Sequence, residues 1–134
     1  MSDYIIDFLK MIMAMPSPSG YTEQVVAFCE QEAQKLGFQT KRNMKGNLEI
    51  YVEGKDDYTV GLSAHVDTLG LMVRSIKSDG TLAVTQIGGP IVPTLDGEYC
   101  QIMTRNNQTY TGTILSNSPA VHVYEDARDL KRTV

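Results

Sequence analysis

His65 and Asp67 carry the chemistry that stands out in this sequence. They sit in the stretch GLSAHVDTLGLMV, residues 61–73, and His65 is one of only two histidines. A neutral imidazole is the commonest protein ligand for zinc-like metals. A carboxylate that accepts the other ring N–H commonly orients it. Along a strand, side chains two residues apart point the same way, so His65 and Asp67 are expected to project together. A strand is expected over Tyr58 to His65, dense enough in small and apolar residues for a central position covered on both faces. The pair then lies at its C-terminal end, where open α/β sheets place their ligands. Ser63 and Ala64 leave room beside it.

Taken alone, a His-x-Asp spacing also suits a solvated strand end. A catalytic zinc needs about three protein ligands, and the others are not evident here. Glu98, Glu125, Asp126 and Asp129 fall in or near expected loops and read as surface charges. His122, in SPAVHVYE, has no second ligand at useful spacing, which argues against metal binding there. Cys29 and Cys100 are far apart and form no C-x-x-C, which suits two reduced thiols.

The elements that must position the pair come before it. A helix is expected from a Ser2 cap, with Ile5, Phe8, Leu9 and Ile12 at helical spacing and Pro16 beyond its end. After the loop MPSPSG, Ser19 and Gly20 are expected to open a second helix. Its stripe is Val25, Phe28, Cys29, Ala33 and Leu36, with Glu23 near the positive end and Gly37 as a C-terminal cap. Phe38 to Arg42 and Leu48 to Val52 read as strands joined by a turn at Lys45-Gly46-Asn47. After Gly70 the pattern is strands alone. Leu71 to Lys77 and Thr81 to Ile87 flank a turn at Ser78-Asp79-Gly80. Tyr99 to Thr104 and Thr109 to Leu115 follow, and this spacing suggests a small barrel or sandwich. The final HVYEDARDLKRTV reads as a helix start or a surface loop.

Composition bounds the rest. The chain has 134 residues, 42% hydrophobic and 21% charged, as in an ordinary soluble globular protein. A net charge of -4 gives no footprint for nucleic acid. No apolar run approaches the roughly 20 residues of a membrane span. The first residues lack a basic n-region, so a cytoplasmic protein is expected.

MPSPSGYTEQV, then KGNLEIYVEG, then SAHVDTLGLMV, resembles the start of the M42 family of metallo-aminopeptidases, and the resemblance extends over the whole chain. It implies an α/β catalytic domain of the zinc-exopeptidase type, here its N-terminal part over residues 1–69. Residues 70–134 would belong to an inserted all-β, barrel-like dimerisation domain. It also implies two divalent metal ions per complete site, zinc or cobalt, and peptide substrates. The homo-oligomer it implies is built from dimers that assemble to a dodecamer. His65 matches a metal ligand of the family. Asp67 matches the aspartate that orients that histidine and supports catalysis. Many relatives follow this aspartate with an acidic residue, whereas this chain has Thr68. The bridging aspartate, the general-base glutamate and the remaining ligands would fall after Val134, so the 134-residue chain alone is expected to be inactive. Two alternatives use the same residues. One is a metallo-exopeptidase or amidohydrolase of the M20 or M28 type, which also has an H-x-D. The other is a truncated, non-catalytic assembly module.

Overall fold

A computed structural model describes residues 2–55, 57–116 and 122–123. The chain divides into two compact units, Met1–Gly70 and Leu71–Val134.

The first unit begins with helix α1 (Ser2–Met13). Its first turn carries Asp3 and its last turn Lys10, both favourable to the helix dipole. Of the apolar face expected there, Phe8 and Ile12 are half-buried, while Ile5 and Leu9 are exposed. Phe8 stacks on Tyr4 and on Phe28 of helix α2 (Glu23–Lys35), which docks α1 onto α2. Helix α2 supplies the buried core through Val25, Val26 and Ala33.

Helix α2 opens later than the sequence suggests. Its N-cap is Thr22, which makes no side-chain cap bond, and Ser19 stands outside the helix. Its far end follows the sequence closely. The Gly37 N–H donates to Gln34 O at 2.9 Å and the Phe38 N–H to Ala33 O at 3.0 Å. This pair of bonds satisfies the last carbonyls and needs a left-handed residue, which Gly37 supplies at φ 85°.

Strands β1 (Gln39–Arg42) and β2 (Leu48–Tyr51) form an antiparallel pair in which Gln39 faces Tyr51. The Asn43 side chain organises their turn by accepting from the Lys45 and Asn47 N–H groups at 3.0 and 3.1 Å. Arg42 ties β1 to α2, reaching Glu30 at 2.7 Å through Nε and Glu23 at 2.5 Å.

Tyr58 to His65 is not a strand: no described segment pairs with it, and a strand needs a ladder partner. The expected two-sided cover is also missing, since Leu62 is 98% exposed and Tyr58 and Val60 are exposed too.

Among its described residues the second unit is built of strands, apart from a 3-10 turn at Val92–Leu95 with Pro93 near its start. Strands β3 (Gly70–Ile76) and β4 (Leu82–Ile87) form one two-stranded sheet. Strands β5 (Tyr99–Met103) and β6 (Thr109–Thr113) form another, antiparallel, with Tyr99 opposite Thr113. Among the described residues the two sheets do not pair with each other, and they show no closed barrel. Closure requires every edge strand to find a partner. His122 lies in an exposed turn, while Glu125, Asp126 and Asp129 lie outside the described residues. No described helix is long and apolar enough to cross a membrane.

The β3–β4 turn carries a built-in pH response. Asp79 Oδ1 accepts from the Thr81 N–H at 2.9 Å and from the Thr81 hydroxyl at 2.7 Å. These bonds favour the carboxylate and hold the Asp79 carboxyl below its ordinary value. A depressed folded value stabilises the turn above the ordinary carboxylate range. That contribution is lost as pH falls through the folded value. The protection of the Thr81 amide, its exchange rate relative to an unprotected amide at the same pH, is therefore expected to fall on acidification. In Asp79→Ala that protection should be low at every pH, and an Asp79→Ala profile that keeps the acid step would refute the assignment.

Candidate functional site

The site is built where two segments of the first unit meet. One is the loop Ser17-Pro18-Ser19 after α1, and the other is Val66-Asp67-Thr68. Pro18 and Thr68 form an isolated parallel bridge. The Thr68 N–H donates to Ser17 O at 2.8 Å. The Ser17 hydroxyl donates to Val66 O at 2.9 Å and is all but completely buried, at 1% exposure. Gly70 lies hard against Pro18, since a Cβ there would meet Pro18 Cβ at 2.6 Å.

On this frame stand the two residues that the sequence singles out. His65 Nδ1 lies 3.0 Å from Asp67 Oδ1 and 3.1 Å from Asp67 O. Both neighbours are acceptors, so a neutral His65 carries its proton on Nδ1. Nε2 then holds the lone pair, and it makes no hydrogen bond among the described residues. The other carboxylate oxygen of Asp67 accepts from the Ser19 hydroxyl. That bond, and next the bond to His65, hold the Asp67 carboxyl below its usual value. The His65 side chain is 85% exposed and that of Asp67 41%.

The expected proximity of His65 and Asp67 is thus present although the expected strand is not. An extended backbone puts side chains two residues apart on the same face, ladder or not, and here the two reach each other. Ser17 and Ser19 were not singled out as site residues by sequence, because the loop P-S-P-S-G reads as turn chemistry and Ser19 reads as a helix opener. Among the described residues no three His, Cys, Asp or Glu side chains gather as a metal-holding group. His65 fits a metal as one ligand, with a free lone pair and an oriented ring. Cys29 and Cys100 are both free thiols, and burial pushes the Cys29 thiol up.

Comparison with known proteins identifies the class first. Over 99% of its length the chain matches the fold of the TET aminopeptidase from the marine sediment archaeon Thaumarchaeota archaeon SCGC AB-539-E09, with a TM-score of 0.83 at 23% identity and covering 36% of that chain. Pyrococcus horikoshii TET1 peptidase matches 91% of the chain with a TM-score of 0.74 at 25% identity, covering 36% of its own length. In sequence, a Bacillus subtilis (strain 168) protein named "Putative aminopeptidase YhfE" is 42% identical over 128 residues, 95% of this chain and 37% of that protein. Lysyl aminopeptidase of Pyrococcus furiosus is 29% identical over 92% of this chain and 35% of its own. The M42 glutamyl aminopeptidase profile matches residues 46–134, and this chain belongs to that family. The chain spans little more than a third of the length of the curated relatives it matches.

Proposed function

We propose that this chain supplies one wall of the active site of a metal-dependent aminopeptidase. His65 is the metal ligand through Nε2, and Asp67 orients it. The observation that supports this reading is the contact between His65 Nδ1 and Asp67 Oδ1 at 3.0 Å, which leaves Nε2 as a lone-pair donor. That is the arrangement found at metal-bound histidines generally. A divalent ion pair, zinc or cobalt, would supply Lewis acidity toward the peptide carbonyl and an activated water. His65 contributes one ligand to it, and the exposed imidazole edge is open to the rest. Family membership favours M42 over the M20 and M28 alternatives. The second unit serves assembly in this proposal. It exposes Met72, Val73, Ile76, Ile91 and Tyr99, apolar surface suited to contact with another copy. Pyrococcus horikoshii TET1 peptidase can assemble into a tetrahedron or a large octahedral shell. Residues 1–69 are proposed as catalytic-domain sequence and 70–134 as dimerisation-domain sequence, in a cytoplasmic protein whose thiols stay free.

A chimera tests the reading. Residues 1–134 replace the matching segment of the Bacillus subtilis relative. The chimera is expected to release p-nitroaniline from aminoacyl substrates, to lose this on chelation and to regain it with zinc or cobalt. The 134-residue chain alone is expected to release none. A chimera that assembles but stays inactive in every metal would favour the assembly-module alternative.

A further inference from the structure

We propose that Ser19 is a positioning residue for the His65–Asp67 pair, fixing the Asp67 carboxylate so that its other oxygen holds the Nδ1 proton of His65. The inference rests on the proposed role of His65 Nε2 as the metal ligand, and it adds a residue from a different segment of the chain.

The pair does not hold itself. Both side chains are exposed to solvent, His65 strongly so. A lone exposed contact of this kind is worth little, because water competes for both partners. The carboxylate torsion of an aspartate is broad and roughly two-fold, so an unsupported Asp67 does not define one orientation. Ser19 supplies the missing constraint, donating to Asp67 Oδ2 while Oδ1 faces His65. Ser19 is itself held in place. On one side Ser17 is bonded twice to the 66–68 segment, and Pro18 bridges to Thr68. On the other, the Tyr21 N–H donates to Pro18 O at 2.7 Å, closing a turn over Ser19 and Gly20, and Gly20 takes the left-handed φ of 89°. The hydroxyl is not spent on helix α2, which is capped at Thr22. Its geometry therefore has Asp67 as its target.

The experiment reads the His65 tautomer by nitrogen-15 spectra of the metal-free 134-residue chain, well above the ordinary imidazole pKa of about 6.5. His122 serves as internal reference. Wild type is expected to show His65 protonated at Nδ1, with Nε2 at the pyridine-like position, and His122, in an exposed turn, gives the comparison ring. In Ser19→Ala the His65 Nε2 resonance is expected to move toward the protonated position, and in Ser19→Thr to stay. The Thr68 amide, protected by Ser17 O, should stay protected in both variants. An unchanged tautomer in Ser19→Ala overturns the proposal. Loss of Thr68 protection in Ser19→Ala overturns it too, because the serine would then be holding the loop rather than aiming the carboxylate. Zinc added to wild type tests the ligand role separately. If zinc leaves the His65 Nε2 resonance unmoved while Ser19→Ala shifts the tautomer, positioning stands and the ligand assignment falls.

Discussion

His65→Ala in the chimera is expected to lower kcat/KM by about 10³-fold. A metal that polarises the carbonyl and activates water contributes several kcal/mol to the transition state, and about 1.4 kcal/mol corresponds to each factor of ten. Removing a direct ligand loosens that metal, whereas removing a residue that only orients a ligand commonly costs 10–100-fold. Asp67→Ala is thus expected to cost about 10–100-fold, because Asp67 acts through the ring it holds at Nδ1. The measurement is steady-state hydrolysis at saturating zinc, with metal content determined on the same samples. Partial recovery of the His65→Ala chimera at high zinc concentration is expected, because the defect is in metal retention. Full activity with normal metal content in His65→Ala would remove His65 from the site.

The second large effect is steric. Gly70→Val is expected to destabilise the first unit by about 2–6 kcal/mol and to release the Thr68 amide to exchange. The new Cβ would stand 2.6 Å from Pro18 Cβ, where carbon atoms prefer about 3.5–4.0 Å. A flexible side chain would swing away, but the Pro18 ring is closed on its own backbone, so the loop must move. Overpacking of this kind costs about 1–3 kcal/mol. Moving the loop also strands the buried Ser17 hydroxyl, now bonded to Val66 O, for a further ~1–3 kcal/mol. Urea denaturation and Thr68 exchange measure both parts. Gly70→Ala has the same Cβ with less bulk and should show a smaller loss of the same kind. Wild-type Thr68 protection in Gly70→Val would mean that Pro18 yields without moving the loop.

The sequence makes the local parts of this fold legible. The cap at Gly37 and the turns at Gly46 and Gly80 are short-range devices, each encoded within a few residues, and each stands where its residues imply. The His65–Asp67 contact is local in the same sense. Ser19 is not, because a serine ahead of a helix carries the same local signature whether its hydroxyl caps that helix or bonds a residue much further along the chain. Nothing within a few residues of Ser19 distinguishes the two, and here the second holds. The stretch Tyr58 to His65 fails as a strand for the converse reason. Its apolar composition records what it is suited to pack against, and pairing depends on a partner that no pattern within the stretch specifies. The second unit shows the same limit. Its hairpin turns are written locally, whereas closure into a barrel depends on edges meeting at long range.

The hydrogen bond from Ser17 to Val66 also sets the order in which this unit is built, since it joins positions 49 residues apart. Helix α2 and the β1–β2 hairpin lie between those ends and close over short spans, so they gather before the ends can meet. The contact that frames the histidine closes a longer loop than either, so it is expected to form after them. On gentle warming it should be the first thing undone, with the helices and hairpin still standing.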